Sequence, residues 1–431
     1  MSAQSVTPAF LTYIKDLYGE ALSTEQLQRY QLLKEQFAAY FPADPEPFFF
    51  STPGRTEIMG NHTDHQHGHV LCASVNMDII AAVVPVNKPE VILKSYGYDK
   101  ADHIDLNILE PQAAEREHSA ALIRGVARAF RDRGAQIGGY HAYTMSNVPA
   151  GSGLSSSAAF EVLNAAILNT LYNQSRFDAV ELARISQFAE NRFFGKPSGL
   201  MDQCGCAVGG FIAIDFADPE KAQVTRVPLD FADSGYSMII TKTGGSHADL
   251  TDEYAAIPRE MKAVAQALGQ EVLQQVDPQV FYRELPALRQ SLGDRAVLRA
   301  MHFFDEDQRV LAAGRALEAH NIQAFLNILR ASGLSSWRLL QNVTSSRSDH
   351  DQPVTMALAY SEHLLGSQGY FRVHGGGFAG TIQAFVPLAL KADYLNGMRR
   401  VFGEANVMEV GIRPCGTRTY TPETRPGSAV G

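Results

Sequence analysis

The chain has 431 residues, of which 45% are hydrophobic and 19% charged, and this length and composition indicate two or three domains with large cores. Its formal net charge of −9, with no basic run interleaved with aromatic residues, excludes nucleic acid as an expected partner. There is no signal-peptide pattern and no run of ~18 apolar residues, so we expect a cytoplasmic protein with no membrane partner.

The first elements along the chain surround an unusual polar segment. Residues 1–45 have a polar helical pattern, whereas residues 48–51, 70–75 and 79–84 are short apolar runs of strand length. The segment 53–68 between these strands is rich in glycine and histidine. A zinc site at these histidines is disfavoured, because no second Cys/His cluster completes it. The four cysteines lack zinc-site spacing, and we expect them to be reduced.

The next informative segment is 147–159, which follows a predicted strand at 140–146 and precedes a strongly helix-forming run. It places a glycine-rich turn and three consecutive serines at a helix start. The free amides and positive dipole end of such a helix form an anion site, and the hydroxyls can bind phosphate or a phosphate-bound Mg²⁺. A glycine turn with a serine cap is the simpler alternative when this segment is taken alone. The segment is neither a Walker loop nor a hydrolase elbow.

Two carboxylates follow at a fixed spacing. Asp202 lies in the segment 199–203, and Glu190 precedes it by twelve positions. Phosphoryl transfer needs a metal ion to offset phosphate charge and a carboxylate to orient the attacking hydroxyl, so this pair suits that reaction. A second unit begins near residue 225, with a strand at 237–241 and helices near 252–268, 309–332 and 353–365. The glycine-rich turn 374–380 then leads into a predicted strand at 381–386.

Three of these segments, 53–68, 147–159 and 374–380, resemble in this order the signatures of the GHMP small-molecule kinases. The first is similar to the galactokinase sequence Gly-Arg-Val-Asn-Leu-Ile-Gly-Glu-His-Thr-Asp-Tyr. The shared residues are Arg55, Gly60, His62, Thr63 and Asp64. Asn61 replaces the family's glutamate, and His65 replaces its tyrosine. The segment 252–254 is similar to the family's Ser-Glu-Tyr.

The resemblance implies an α/β (α+β) two-domain fold with the active site between an N-terminal domain, residues 1–225, and a C-terminal domain, residues 226–431. It also implies roles for individual residues. The catalytic pair would be Asp202, which faces the attacking hydroxyl, and Arg55, which keeps it ionised. The sugar-binding residues would be Asn61, His62, Asp64 and Tyr254. The phosphates of ATP would lie on Gly151, Gly153, Leu154, Ser155, Ser156, Ser157 and Gly376. Mg²⁺ would be bound by Ser157 and Glu190.

The expected activity is ATP-dependent phosphorylation of the anomeric hydroxyl of galactose by a monomeric enzyme. Two alternatives stay open. Because Asn61 is neutral where the family has a charged acceptor, the sugar could instead be galacturonate or another C6 variant. A non-catalytic sensor of galactose and ATP is the other alternative, although a sensor needs neither a metal ligand nor a base. A non-sugar alcohol such as mevalonate is disfavoured, since residues 62–64 offer several polar groups to sugar hydroxyls.

Overall fold

A computed structural model describes residues 7–149, 151–196, 198–244, 250–348 and 350–422. In these ranges the helices are α1 Pro8–Tyr18, α2 Ser23–Tyr40, α3 Ser119–Asp132, α4 Ser156–Asn173, α5 Ala179–Ala189, α6 Met201–Val208, α7 Thr251–Ala267, α8 Pro278–Leu292, α9 Asp294–Glu318, α10 Ile322–Ser335, α11 Pro353–Leu365 and α12 Lys391–Phe402. The strands are β1 Phe48–Met59, β2 His69–Val86, β3 Glu90–Ser95, β4 Ala101–Asp105, β5 Gly139–Ser146, β6 Phe211–Asp215, β7 Gln223–Val227, β8 Tyr236–Gly244, β9 Tyr370–His374, β10 Gly380–Pro387, β11 Val407–Val410 and β12 Arg418–Tyr420. None of the helices within the described ranges is long and apolar enough to cross a membrane.

The first sheet is built on the long antiparallel pair β1 and β2. Its order is β12-β1-β2-β5-β3-β4, and β6 and β7 extend it from β2. Both long strands are buried along most of their length, as expected of strands that are covered on both faces. The β1–β2 register shifts between Pro53 and Arg55 and again between Glu57 and Met59. Such irregularities change the direction of side chains. They occur in the segment that carries Arg55.

The second sheet is antiparallel, with the order β11-β8-β10-β9. The largest apolar core joins the two sheets, because it includes Val75 of β2 and Leu163 of α4 together with Phe325 of α10 and Phe385 of β10. The expected mixture of helices and sheets is confirmed. Strand β7 spans the predicted domain boundary at residue 225, and β12 returns to the first sheet from the end of the described chain. The division at 225 stays a prediction.

Three elements differ from the sequence prediction, and one of them is the pair of strands predicted at 70–75 and 79–84, which form the single strand β2. The helix predicted over 309–332 is divided, since α9 ends at Glu318 and α10 begins at Ile322. The cause is local: Asn321 caps α10 by accepting a hydrogen bond from the amide of Ala324, and His320 has a left-handed φ of 53°. The strand predicted at 48–51 continues to Met59, so the start of the polar segment is part of the sheet.

A buried charge network fixes the N-terminal helices to the first sheet. The side chain of Asp78 on β2 is fully buried. Its carboxylate pairs with Arg29 of α2 at 2.5 Å and with Arg413 at 3.0 Å. It also accepts hydrogen bonds from Tyr18 of α1 and Ser51 of β1. Burial opposes ionisation of Asp78, but the two guanidinium groups and these hydrogen bonds hold its pKa below the usual range.

Asp78→Asn is expected to lower the free energy of unfolding by about 3 to 5 kcal/mol, because it leaves two buried guanidinium groups without their carboxylate. Asp132→Asn is the control, since Asp132 pairs with Arg128 at the surface and should change stability by less than about 1 kcal/mol. Denaturant unfolding of both variants measures the difference. If the Asp78→Asn and Asp132→Asn variants have the same free energy of unfolding, the buried charge network is not a major determinant of stability.

Candidate active site

The centre of the candidate site is a buried ion pair between Arg55 of β1 and Asp202 of α6. Arg55 donates from Nε and Nη2 to Oδ1 of Asp202, at 2.8 and 2.5 Å. The guanidinium is 8% exposed and the carboxylate 20% exposed, so the acid keeps an accessible edge. Arg55 also donates from Nη1 to the carbonyl of Gly153, and Ser155 donates to Oδ2 of Asp202 at 2.6 Å. The pair therefore links β1 and α6 to the glycine-rich turn.

The electrostatics of this pair follow from burial and opposite charge. Burial favours the neutral form of Asp202, but the charge of Arg55 and the hydrogen bonds from Ser155 and Arg55 lower the pKa of the carboxyl below its ordinary value. Burial likewise disfavours the charge on Arg55, but Asp202 raises the pKa of the guanidinium. Both groups are therefore ionised at neutral pH.

The glycine-rich turn that precedes α4 leads into a helix N-terminus without a side-chain cap. Helix α4 begins at Ser156, and the side chain of its N-cap residue makes no capping hydrogen bond. Its N-cap residue Ser155 has a left-handed φ of 55°, and its hydroxyl is directed to Asp202 instead. The preceding residue, Leu154, is fully buried and accepts a hydrogen bond from the amide of Arg55. An uncapped helix N-terminus beside glycines is suited to bind phosphate.

The glycine-rich turn before α4 needs Gly153 where it meets the segment 374–380. Gly153 has φ of 74°, and a Cβ there would lie 2.9 Å from Nδ1 of His374. His374 is bonded to the hydroxyls of Thr56 at 3.0 Å and Thr381 at 2.9 Å. Burial and the nearby Arg55 lower the pKa of this imidazole to about 3. A neutral histidine thus packs between the glycine turn and both sheets.

Glu190 lies beside the first turn of α4. It belongs to a π-helical turn, Glu190–Phe194, that follows α5. Its side chain is 1% exposed. Oε1 of Glu190 accepts hydrogen bonds from Ser157 at 3.3 Å and from Lys196 at 2.9 Å. Oε2 accepts from Ser198 at 2.5 Å and from Gln203 at 2.8 Å. Ser157 and Glu190, predicted as a pair from the family resemblance, are therefore in direct contact.

The predicted sugar-binding residues lie where the first signature meets the glycine turn 374–380. His62, with φ of 61°, donates from Nε2 to the carbonyl of Gly376 at 3.1 Å. Burial, together with His65, lowers the pKa of His62 to about 4, so the ring is neutral at pH 7. Oδ2 of Asp64 would lie 3.0 Å from a Cβ at Gly199, next to the segment that carries Asp202.

Tyr254 and Gly376 form the opposite side of this region. Tyr254 donates to the carbonyl of Gly377 at 2.6 Å, and its ring packs at 5.4 Å against Phe378. A Cβ at Gly376 would lie 2.4 Å from the tyrosine ring. Glycine is therefore required at 376 for close contact of the loop with α7. Among the predicted loop residues, Gly151 is exposed with φ of 65°, and Ser156 is half-buried.

Asn61 is placed differently from what a direct sugar contact would suggest. Its side chain is buried, and Nδ2 donates to Oε1 of Glu57 at 2.9 Å and to the carbonyl of Gly375 at 2.7 Å. Its Oδ1 accepts from Asn342 at 2.6 Å. Sequence reasoning missed Glu57, although the comparison was available: the family's asparagine and glutamate stand at the positions of Glu57 and Asn61, so the two residue types are exchanged.

Sequence reasoning also missed Lys196, Gln203 and His374 as members of this region. Gln203 lies in the segment 199–203 and His374 in the segment 374–380, but a glutamine or a single histidine carries no specific signal. Lys196 is visible only once the chain after the π-helical turn folds back on Glu190. No group of three or more metal-binding side chains occurs among the residues that the structure describes.

Arg55→Gln should lower the free energy of unfolding at pH 7 by about 3 kcal/mol, because the substitution leaves the buried charge of Asp202 without its partner. Without Arg55, burial raises the folded-state pKa of Asp202 above its unfolded value. The penalty is therefore full above that raised pKa, decreases as the pH falls through it, and is gone below about 4, where the carboxyl is protonated in both states.

The double variant Arg55→Gln/Asp202→Asn removes both charges and should recover a part of the lost stability. Urea unfolding of the wild type, both single variants and the double variant at pH 7 and pH 4 gives the coupling energy. Additive losses in the double variant would contradict the pairing.

Comparisons with known proteins identify relatives of this chain. The family model described as "GHMP kinases N terminal domain" matches residues 121–210, and the one described as "Galactokinase galactose-binding signature" matches residues 35–85. The galactokinase of Glaesserella parasuis serovar 5 (strain SH0165) is 29% identical over 386 residues, which are 89% of this chain and 95% of that protein. The galactokinase of Streptomyces coelicolor is 31% identical over 361 residues, which are 82% of this chain and 88% of that protein.

Solved structures show the same fold. The Lactococcus lactis galactokinase complexed with galactose has a TM-score of 0.75 at 24% identity, over 90% of this chain and 99% of that one. A D-glycero-D-manno-heptose 1-phosphate kinase has a TM-score of 0.59 at 18% identity, over 88% of this chain and 100% of that one. The GHMP kinase fold is therefore confirmed. Identity of 31% across most of both chains shows that this chain belongs to the galactokinase family.

Proposed function

We propose that this chain transfers the terminal phosphoryl group of ATP to the anomeric hydroxyl of galactose. The products are galactose 1-phosphate and ADP, and the hydroxyl proton is released. The observation that carries the proposal is Asp202, an ionised carboxylate held by Arg55 and joined through Ser155 to an open helix N-terminus. A hydroxyl-orienting group and a phosphate-binding group thus meet at one point. Membership of the galactokinase family makes the chain a sugar-kinase phosphotransferase.

The lowered pKa of Asp202 limits what the acid does. A carboxylate with a low pKa is a weak base, so its first role is to accept a hydrogen bond from the sugar hydroxyl and aim it at the phosphorus atom. Phosphoryl transfer demands little nucleophilic push, because its transition state is loose. Arg55 keeps Asp202 ionised and lies next to the turn where the phosphates would be bound.

Ser157 and Glu190 fit a magnesium ion. A hydroxyl and a carboxylate oxygen only 3.3 Å apart provide two oxygen ligands, and phosphate oxygens and water commonly supply the rest. When bound, Mg²⁺ would offset the charge of the phosphates. Lys196 donates to the same carboxylate oxygen, so it would have to share or leave that position. The first amides of α4 would hold the phosphates.

The alternatives receive less support. A sensor would not need the Arg55–Asp202 pair or a metal ligand. The galacturonate alternative depends on the loss of a negative charge at Asn61, but Glu57 lies 2.9 Å from that amide. The exchange of residue types therefore keeps one carboxyl group at this position, which disfavours a second carboxylate on the sugar. Burial raises the pKa of Glu57, and the positive charge of Arg372 opposes that rise.

We further propose that the enzyme is a monomer, that its domains are residues 1–225 and 226–431, and that it works in the cytoplasm. All four cysteines are free and buried, which suits a reducing compartment.

An ADP-release assay with ATP, Mg²⁺ and a panel of sugars tests the function. Galactose should give the highest kcat/KM, and galacturonate should give a lower one, because Glu57 keeps a carboxyl group next to Asn61. A preference for galacturonate would contradict both the substrate and the argument from Glu57.

Asp202→Asn provides the matched control in the same assay. It should keep nucleotide binding and lower kcat by about 10² to 10⁴, the usual range for a positioned acid or base. Bound galactose and ATP without turnover in the wild-type protein would favour the sensor. A near-normal kcat in the variant would remove Asp202 from the mechanism.

Glu190→Gln should raise the Mg²⁺ concentration needed for half-maximal rate by at least ~10-fold, because an amide oxygen is a weaker ligand than a carboxylate. KM for the sugar should change little. Lys196→Gln is the control, since it removes a donor that competes for Glu190 and leaves both proposed oxygen ligands in place, so it should not raise the Mg²⁺ requirement. If the Mg²⁺ titration of Glu190→Gln matches that of the wild type, the metal-ligand assignment is wrong.

A further inference from the structure

A second cavity of about 610 Å³ lies in the C-terminal half of the chain. It is bounded by α7, the start of α9, the π-helical turn Ser336–Leu340 and the loop after that turn. Its described lining includes neither member of the Arg55–Asp202 pair and no part of the turn at residues 151–157, which we call the phosphate turn. We call it the arginine cavity, after the lining residues Arg259, Arg295, Arg299, Arg338 and Arg347.

The arginine cavity has an excess of positive charge in a chain of net charge −9. Five guanidinium groups line it, and its carboxylates are Asp252 and Glu253, with Glu260 behind them. Asp252 is paired with Arg347 at 2.5 Å. Glu253 is directed to the loop, since it accepts hydrogen bonds from Ser345 and from the amide and hydroxyl of Ser346, at 2.7 to 2.8 Å. Two positive charges are left in excess.

Those two charges belong to Arg259 and Arg338. Both side chains are exposed, and neither has a carboxylate within 4 Å in the described part of the chain. Lone cations that converge on one cavity repel each other, and an anion relieves that repulsion. The arrangement suits an anion with several acceptor oxygens.

Arg299 provides a fixed donor at the base of the cavity. Its side chain is only 2% exposed. Nε donates to the carbonyl of Leu340 at 3.1 Å and Nη1 to Glu260 at 2.8 Å, which fixes the plane of the group. Among the described residues, Nη2 donates to no acceptor. Arg295 takes the other oxygen of Glu260 at 2.5 Å, so one carboxylate serves two guanidinium groups. A buried guanidinium with an unused N–H is a strong donor to phosphate.

The lining of the cavity also includes an aromatic residue. Trp337, the single tryptophan of the chain, is half-buried in the π-helical turn and lines the cavity. Gln341 ends this turn with a left-handed φ of 58°. Such turns and strained residues are frequent at ligand sites. A flat aromatic ring beside charged donors can pack against the body of a small polar ligand.

We infer that the arginine cavity is a second ligand site, which binds a small molecule that carries a phosphate group. The site also adjoins the first one. Phe378 lines the cavity and packs against Tyr254, whose hydroxyl is bonded to the glycine turn at Gly377. The inference does not depend on galactose being the substrate.

Trp337 makes the test direct, because it is the single tryptophan of the chain and lines this cavity. The full-length protein is titrated with inorganic phosphate, with galactose 1-phosphate and with uncharged galactose, at constant ionic strength. Both phosphate-bearing probes should change the emission with saturation, and galactose alone should not. The variant Arg259→Gln/Arg338→Gln should raise Kd for phosphate by at least ~10-fold, since it removes the two uncompensated charges.

The matched control is Arg283→Gln/Arg315→Gln, which removes two exposed arginines outside the cavity and should leave Kd unchanged. Three results would overturn the inference: no saturable response to either anion, an unchanged Kd in the cavity variant, or an equal loss in the control variant. The last would show that net charge, and not this cavity, governs the response. Because both substituted pairs are at the surface, loss of folding is not expected, and thermal unfolding verifies that.

Discussion

The candidate site depends on one interaction, the buried ion pair between Arg55 and Asp202. Each charge alone would be costly at this depth, and each stabilises the other. The same two residues also contact the phosphate turn, through the carbonyl of Gly153 and the hydroxyl of Ser155. The position of the carboxylate relative to the helix start is therefore set by direct bonds and not by a flexible loop.

Neutral groups complete the surroundings of this pair. His374 and His62 are held uncharged by burial, so they act as fixed hydrogen-bonding groups and do not compete with Arg55 for Asp202. His374 is hydrogen-bonded to Thr56 of the first sheet and Thr381 of the second, and His62 is hydrogen-bonded to Gly376 in the turn 374–380. Neutral rings therefore join the first sheet and the segment 53–68 to the second sheet and its turn. We expect this scaffold to keep its geometry across the neutral pH range, because neither histidine titrates there.

Much of the site could be predicted from the sequence, because its parts are contiguous segments. A strand, a glycine turn and a helix start are local features, and they place Ser155 and Ser157 without knowledge of the fold. The Glu190 and Asp202 pair came from spacing and resemblance. Contacts between distant segments could not be predicted in this way. Examples are the position of His374 against Gly153 and that of Lys196 on Glu190, because both depend on tertiary packing.

Asn61 illustrates the limit most clearly. Its neutral side chain suggested an altered sugar preference, but the amide is bonded to Glu57, Gly375 and Asn342. The informative change was an exchange of residue types four positions apart, which has meaning only when both side chains are seen in contact. A similar limit applies to the helix predicted at 309–332, where the cap at Asn321 ended one helix and began another.

The most direct test of the account is a crystal structure of the protein with galactose and a non-hydrolysable ATP analogue. The account predicts that the anomeric hydroxyl lies within hydrogen-bond distance of a carboxylate oxygen of Asp202. It also predicts that the terminal phosphate lies at the start of α4, in line with that hydroxyl. A sugar bound away from Asp202, or a nucleotide whose phosphates do not contact the turn at residues 151–157, would contradict it.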